Sequence, residues 1–164
     1  HPRSLLAALA SNAEGVTTTM WLRGVDFGQI LETVVSILAA YVLALPLAFE
    51  RELGSRVGPG VRTVPLVSVG ACGYVLISRF LYEQGVYDTD GLVRTLRSVM
   101  TGIGFIGGGA IIQKDTRDVR GLATAASVWI SGALGAAVAF RHYEIAVVLG
   151  LGAALLLVVR RSRA

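Results

Sequence analysis

The side chains in this sequence best suited to chemistry are four carboxylates. Glu50 and Glu52 flank Arg51 directly after an apolar run that contains Pro46, and Asp115 and Asp118 lie in the stretch from Lys114 to Arg120. Such oxygens suit Mg²⁺, which commonly takes one or two carboxylates and keeps several waters. Glu50, Glu52, Asp115 and Asp118 are therefore the candidate metal ligands. Their neighbours offer a competing use. Acids at a helix C-terminus oppose the macrodipole and need partners, and Arg62, Lys114, Arg117 and Arg120 are available for a salt-bridged cluster joining the two stretches.

Other motifs lose their chemistry on inspection. Gly102-Ile-Gly104-Phe-Ile-Gly107 matches a dinucleotide fingerprint, but that fingerprint works between a strand and a helix, and this one lies inside an apolar run. Asp88-Thr-Asp90-Gly91 resembles part of a calcium loop. With Gly91 as sixth residue, the first and twelfth are Val86 and Arg97, which are not oxygen ligands. Ser127 and Ser131 have no histidine partner deducible from spacing, and His142 stands in a very short polar turn. The single cysteine, Cys72, excludes an internal disulfide, a CxxC pair and a cysteine zinc cage. No catalytic residue is expected, and Mg²⁺ is the one cofactor the carboxylates suggest.

The elements that position these groups follow from composition. Of 164 residues, 54% are hydrophobic and 16% charged, against roughly 25% charged in an average soluble domain. Fourteen arginines and Lys114 give a net charge of +4, yet they lie between apolar blocks and not on one basic face, which argues against a nucleic-acid partner. Five blocks lack Asp, Glu, Lys and Arg: Thr33–Phe49, Thr63–Ser78, Ser98–Gln113, Gly121–Phe140 and Ile145–Val159. At about 1.5 Å per residue each covers roughly 22–30 Å, close to a hydrocarbon core of about 30 Å. A soluble helical bundle would need a polar stripe on each helix, and these blocks are apolar all round. The expectation is an all-α integral membrane protein with five transmembrane helices in the lipid bilayer.

Loop charge orients it. Nine basic residues (Arg51, Arg56, Arg62, Lys114, Arg117, Arg120, Arg160, Arg161, Arg163) fall on one side, and six, with seven acids, on the other. The positive-inside rule then puts the N-terminus outside and the C-terminus in the cytoplasm. Residues 29–159 form the membrane domain and 160–164 a basic cytoplasmic tail. Residues 1–28 form an N-terminal extension or interfacial segment. Within it, 1–19 are either foreign to a natural chain starting at Met20 or an amphipathic stretch on the outer surface.

Small residues recur at helical spacing. Thr101, Gly104 and Gly108 share one face, with Gly107 beside them, and Gly132, Gly135, Ala136 and Ala139 recur at i, i+3, i+4 and i+7. Such faces let helices pack closely, so the third and fourth spans are expected to meet backbone to backbone, and a homodimer is open to the chain. The alternative is that Gly107-Gly108-Gly109 breaks a helix and offers carbonyls to an ion.

Three stretches together resemble the MgtC/SapB family of bacterial inner-membrane proteins, its short SapB-like members in particular. They are Leu45-Pro-Leu-Ala-Phe-Glu50-Arg51-Glu52 leading to Gly60-Val-Arg62-Thr63, Gly102-Ile-Gly-Phe-Ile-Gly-Gly-Gly109-Ala-Ile-Ile, and Val119-Arg120-Gly121-Leu-Ala-Thr124-Ala-Ala-Ser-Val-Trp129. The resemblance covers about residues 29–159. It implies five membrane helices with the N-terminus outside, here without the cytoplasmic C-terminal domain of longer members. It also implies a link to Mg²⁺ homeostasis or membrane energetics. Glu50, Arg51, Arg62, Arg120, Gly121 and Thr124 fall on family-motif positions of the cytoplasmic face, as Gly104 and Gly107 do within the membrane. The functional expectation is a non-enzymatic modulator of a membrane-protein partner, with a small Mg²⁺ transporter or channel, as a homo-oligomer, the alternative.

Overall fold

A computed structural model describes residues 27–54, 62–115 and 118–161. The expectations for residues 1–19 lie outside the described residues. The chain divides into two compact units, His1–Val34 and Val35–Ala164. The described part of the first is the beginning of a helix, and the second carries the bundle.

The apolar blocks become helices because no internal charge interrupts them and an apolar segment shut off from water must satisfy its backbone hydrogen bonds within itself, glycines included. Five helices form among the described residues: α1 (Phe27–Gly54), α2 (Thr63–Glu83), α3 (Thr89–Gly109), α4 (Leu122–Ala139) and α5 (Tyr143–Arg161). Pro46 sits inside α1 without ending it. Asp88 starts α3, its side chain accepting a hydrogen bond from the Gly91 N–H at 2.8 Å. That capping duty is what the Asp88–Gly91 stretch does here.

Two boundaries differ from the sequence reading. The third block was expected to span Ser98–Gln113, but α3 runs from Thr89 to Gly109 and takes Arg94 and Arg97 into its first half. The chain then turns at Ala110 into a short antiparallel hairpin, β1 (Ile112–Asp115) with β2 (Asp118–Arg120). Ile112 pairs with Arg120 and Asp115 with Asp118, with a register shift between Gln113 and Asp115. The fold is helical with this one added ribbon. By length and composition α1 (over Phe27–Phe49), α2 and α4 are able to cross a membrane, and α5 contributes the shorter apolar run Tyr143–Leu155. The charges of α3 keep it out of that set.

Contacts fix the directions within Val35–Ala164. Ser68 Oγ on α2 donates to the Ala40 carbonyl of α1 at 2.9 Å, and Ser131 Oγ on α4 donates to the Val64 carbonyl of α2. Gly135 lies against the backbone of Ser68, one turn further along both α2 and α4, so these two helices run parallel. On α3, Ile103 covers Gly132 and Gly107 meets Ala125, which makes α3 antiparallel to α4. Gly150 of α5 approaches the Leu43 carbonyl of α1. Helix α4 is thereby the centre, with Val128, Leu134, Val138 and Ala139 fully enclosed.

The distribution of side chains is the reverse of a soluble bundle. Among the described residues the buried polar groups are Ser36, Ser68, Ser78, Thr124, Ser127 and Ser131, while Leu38, Val42, Leu66, Ile77, Phe105, Val148, Leu151 and Leu155 face outward. Phe105 is 85% exposed and Val148 70%. Soluble monomers do not display apolar surface on this scale. In lipid the outward residues meet acyl chains and the small, hydroxyl-bearing ones hold helices together. The molecule is an α-helical membrane protein.

Gly121 closes the corner between the hairpin and α4. Its φ of 91° lies in the left-handed region, and a Cβ there would collide with the Ala110 carbonyl oxygen. Gly121→Ala is therefore expected to lower stability by at least about 2 kcal/mol, from left-handed strain plus collision. Gly135→Ala, whose Cβ would strike the Ser68 carbonyl, is expected to cost at least about 2 kcal/mol by overpacking. Gly104→Ala, with open space around the new Cβ, should be neutral or gain up to about 1 kcal/mol of helix propensity. Thermal unfolding of the three variants in detergent micelles checks the order; a Gly104→Ala loss as large as that of Gly135→Ala would contradict this packing.

Candidate functional site

The family-motif residues gather toward one end of the bundle because alternating helices place there the end of α1, the start of α2, the end of α3, the hairpin and the start of α4. Glu50, Arg51 and Glu52 stand in the last turns of α1, and Arg120 ends β2. Their side chains, and those of Asp115 and Asp118, lie outside the described residues. Arg62 is exposed and holds the N-cap position of α2 without a side-chain cap bond. No group of three His, Cys, Asp or Glu side chains assembles among the described residues.

Gly121 and Thr124 form the described heart of this end. Ala125 N–H donates to the Gly121 carbonyl at 2.8 Å, opening α4, and Thr124 is buried one position earlier. An added Cβ at Gly107 would lie 3.4 Å from the Ala125 carbonyl oxygen, so α3 touches the first turn of α4 there. The end of α3 is bound to that turn twice, through Gly107 and through Ala110 against Gly121. Backbone meets backbone at both places.

The small residues divide into two sets. Gly107, Gly132 and Gly135 sit in tight contacts, and Ala136 and Ala139 are buried. Thr101, Gly104 and Gly108 are exposed, and the two glycines have nothing within 4 Å of an added Cβ. The close approach of α3 to α4 thus runs through Ile103 and Gly107, on a different face from the Thr101/Gly104/Gly108 row. Helix α3 continues through Gly107, Gly108 and Gly109 before its cap at Ala110, and no break exposes carbonyls midway.

At the opposite end, Arg79 carries a structural role. Its Nη1 donates to the Ala139 carbonyl in the last turn of α4 at 2.9 Å, and its Nε donates to Glu83 Oε1 at 3.0 Å. A cation on exposed helix-end carbonyls matches the negative end of the macrodipole. The Arg79/Glu83 spacing of four, in a helix otherwise free of charge, was the available signal. His142 Nδ1 and Glu144 Oε1 lie 2.9 Å apart in the exposed turn before α5. Ser127 Oγ returns to the Ala123 carbonyl of its own helix and Ser131 Oγ to α2, so both hydroxyls serve structure.

Comparison with known proteins follows this arrangement. The MgtC family model matches residues 37–163. Protein MgtC of Brucella abortus (strain 2308) is 37% identical over 106 residues, which cover 65% of this chain and 42% of that protein. YhiD of Escherichia coli (strain K12), a protein named for magnesium transport, is 29% identical over 119 residues, 71% of this chain and 54% of its own. Protein SrpB of Synechococcus elongatus is 29% identical over 129 residues, 74% and 70% of the two chains. The chain thus spans about half the length of the first two relatives. No solved structure matches it. The matched stretch contains the second half of α1, the α3–hairpin–α4 corner and all of α5, and the chain belongs to the MgtC family.

Proposed function

We propose that this chain crosses a bacterial inner membrane five times, with its N-terminal end outside, and acts in Mg²⁺ homeostasis or membrane energetics as a non-enzymatic modulator of a membrane-protein partner. The observation that carries the reading is the filled centre of the bundle. Leu47, Val64, Val75, Val128, Leu134 and Val138 close the space around α4, and Gly132, Gly135 and Gly150 bring side chain or backbone into direct contact with neighbouring helices. A path for Mg²⁺ needs oxygen ligands to replace its firmly held waters, and ionisable residues facing a watered interior. In the described centre the Ser68, Ser127 and Ser131 hydroxyls are committed to carbonyls of neighbouring turns and helices, and the buried Ser36 Oγ stands without a hydrogen-bond partner among the described residues.

Orientation is supported by nine basic residues on one side of the five apolar blocks against six on the other. It puts Glu50, Arg51, Arg62, Arg120, Gly121 and Thr124 at the cytoplasmic surface, where a charged face above a rigid corner suits docking. The second reading, a Mg²⁺ transporter built from several copies, draws on the open row of Thr101, Gly104 and Gly108 on α3. Such a row suits a homodimer seam.

Mg²⁺ influx into liposomes holding the purified chain, read with an enclosed indicator, separates the two. The expected result is no influx above protein-free vesicles. Influx that depends on the protein and is lost in Glu50→Gln would replace the modulator by the transporter and make the carboxylates its gate.

A further inference from the structure

Between α2 and α3 lies a groove of about 600 Å³ that opens to the bundle exterior. Leu66, Gly70 and Tyr74 of α2 and Ser98, Gly102 and Ile106 of α3 line it. Neither Gly70 nor Gly102 has any atom within 4 Å of an added Cβ, so the missing side chains are what hollow it out. Its ends differ. Beyond Tyr74 the two helices are joined by the hydrogen bond from Ser78 Oγ to Thr95 Oγ1 at 3.0 Å, which closes that end. At the other end stands Thr63, and beside it Arg62, exposed and with no carboxylate partner among the described residues.

Length selects the occupant. Thr63 to Tyr74 is twelve residues, and the eleven rises between them give about 16 Å of helix, close to half of a hydrocarbon core of about 30 Å. A transmembrane helix of a partner or a second copy would need a furrow along the whole of α2, and this one stops at the Ser78–Thr95 bond. An acyl chain from one leaflet needs only this depth. The hydroxyls do not spoil the lining, because Ser98 Oγ is spent on the Arg94 carbonyl and Thr95 Oγ1 on Ser78. At the mouth, the exposed Arg62 guanidinium at the positive end of α2 favours an anion with oxygen acceptors.

We propose that this groove seats one acyl chain of an anionic phospholipid, with its phosphate against Arg62 at the start of α2. The inference rests on the membrane-spanning reading above. It gives Arg62 a lipid to hold and makes the α2–α3 contact sensitive to the composition of one leaflet.

The test is thermal unfolding of the full chain in uncharged detergent micelles, with phosphatidylglycerol or phosphatidylcholine of identical acyl chains added. Phosphatidylglycerol should raise the melting temperature by about 3–5 °C more than phosphatidylcholine when well above its dissociation constant. Arg62→Gln should remove that difference. Gly102→Leu, which fills the groove, should remove most of the gain from either lipid. Equal gains from both lipids, or a full phosphatidylglycerol gain in Gly102→Leu, would overturn the proposal, as would an equal gain from chain-free glycerol phosphate. Native mass spectrometry should find retained phosphatidylglycerol on the protomer, and a second protomer released by Gly102→Leu would assign the groove to a dimer. Mg²⁺ influx in liposomes would remove the modulator reading without moving these lipid shifts, so the two ideas fail separately.

Discussion

The approach of Gly135 to the Ser68 backbone is the contact on which the bundle depends. Helices in lipid gain nothing from burying apolar surface against one another, since acyl chains are as apolar as leucine. Association must come from close packing and hydrogen bonds, and both require small residues. With Gly135 against Ser68, α2 and α4 lie close enough for Ser131 to reach the Val64 carbonyl. Ser68 itself turns the other way to the Ala40 carbonyl, so α1 is tied to the same pair. Each such bond is worth about 0.6 kcal/mol on average within a membrane, so the bonds fix register more than they supply stability.

The same constraint explains the polar groups. A charge in the middle of this bundle would be costly, and the chain instead uses hydroxyls inside and confines its arginines to the helix ends and to the first half of α3. Arg79 shows how an arginine is tolerated near an end. Its guanidinium is shared between the Glu83 carboxylate and the Ala139 carbonyl, satisfying a helix end that would otherwise need water. Arg94 and Arg97 have no such place. They lie on exposed positions of α3, which makes that helix the amphipathic member of the set.

This difference accounts for how far the sequence could be read. Blocks free of charge marked α2, α4 and α5 well because those helices carry charge only toward their ends. The rule failed for α3, where excluding arginine moved the expected start about nine residues toward the C-terminus and the expected end absorbed Ile112 and Gln113, which form a strand. The hairpin had no periodic signal of its own, being two strands of four and three residues. The glycine rows were legible as rows but not by direction. In Gly102-Ile-Gly104-Phe-Ile-Gly107-Gly108-Gly109 glycines fall on several sides of the helix, so spacing could not say which side meets α4. Ile103 decides it by covering Gly132, and Gly107 follows one turn later. On α4, where all the neighbours are helices, the row from Gly132 to Ala139 is packed throughout.

Function follows from what is rigid and what is open. The end of α3, the hairpin and the start of α4 form a corner in which Gly107 touches the first turn of α4 and Gly121 leaves no room for a side chain against the Ala110 carbonyl. The exterior of α3 is the opposite: its glycines face outward, Phe105 stands free, and the groove toward α2 is unfilled by protein. One helix therefore has Ile103 and Gly107 packed against α4 while Thr101, Gly104, Phe105 and Gly108 face outward. If it moves relative to α2, the Ser78–Thr95 bond and the groove are what change, while the α2–α4 contact at Gly135 is left alone. For the modulator proposed above, such a division supplies one element with an open surface and another held in the core.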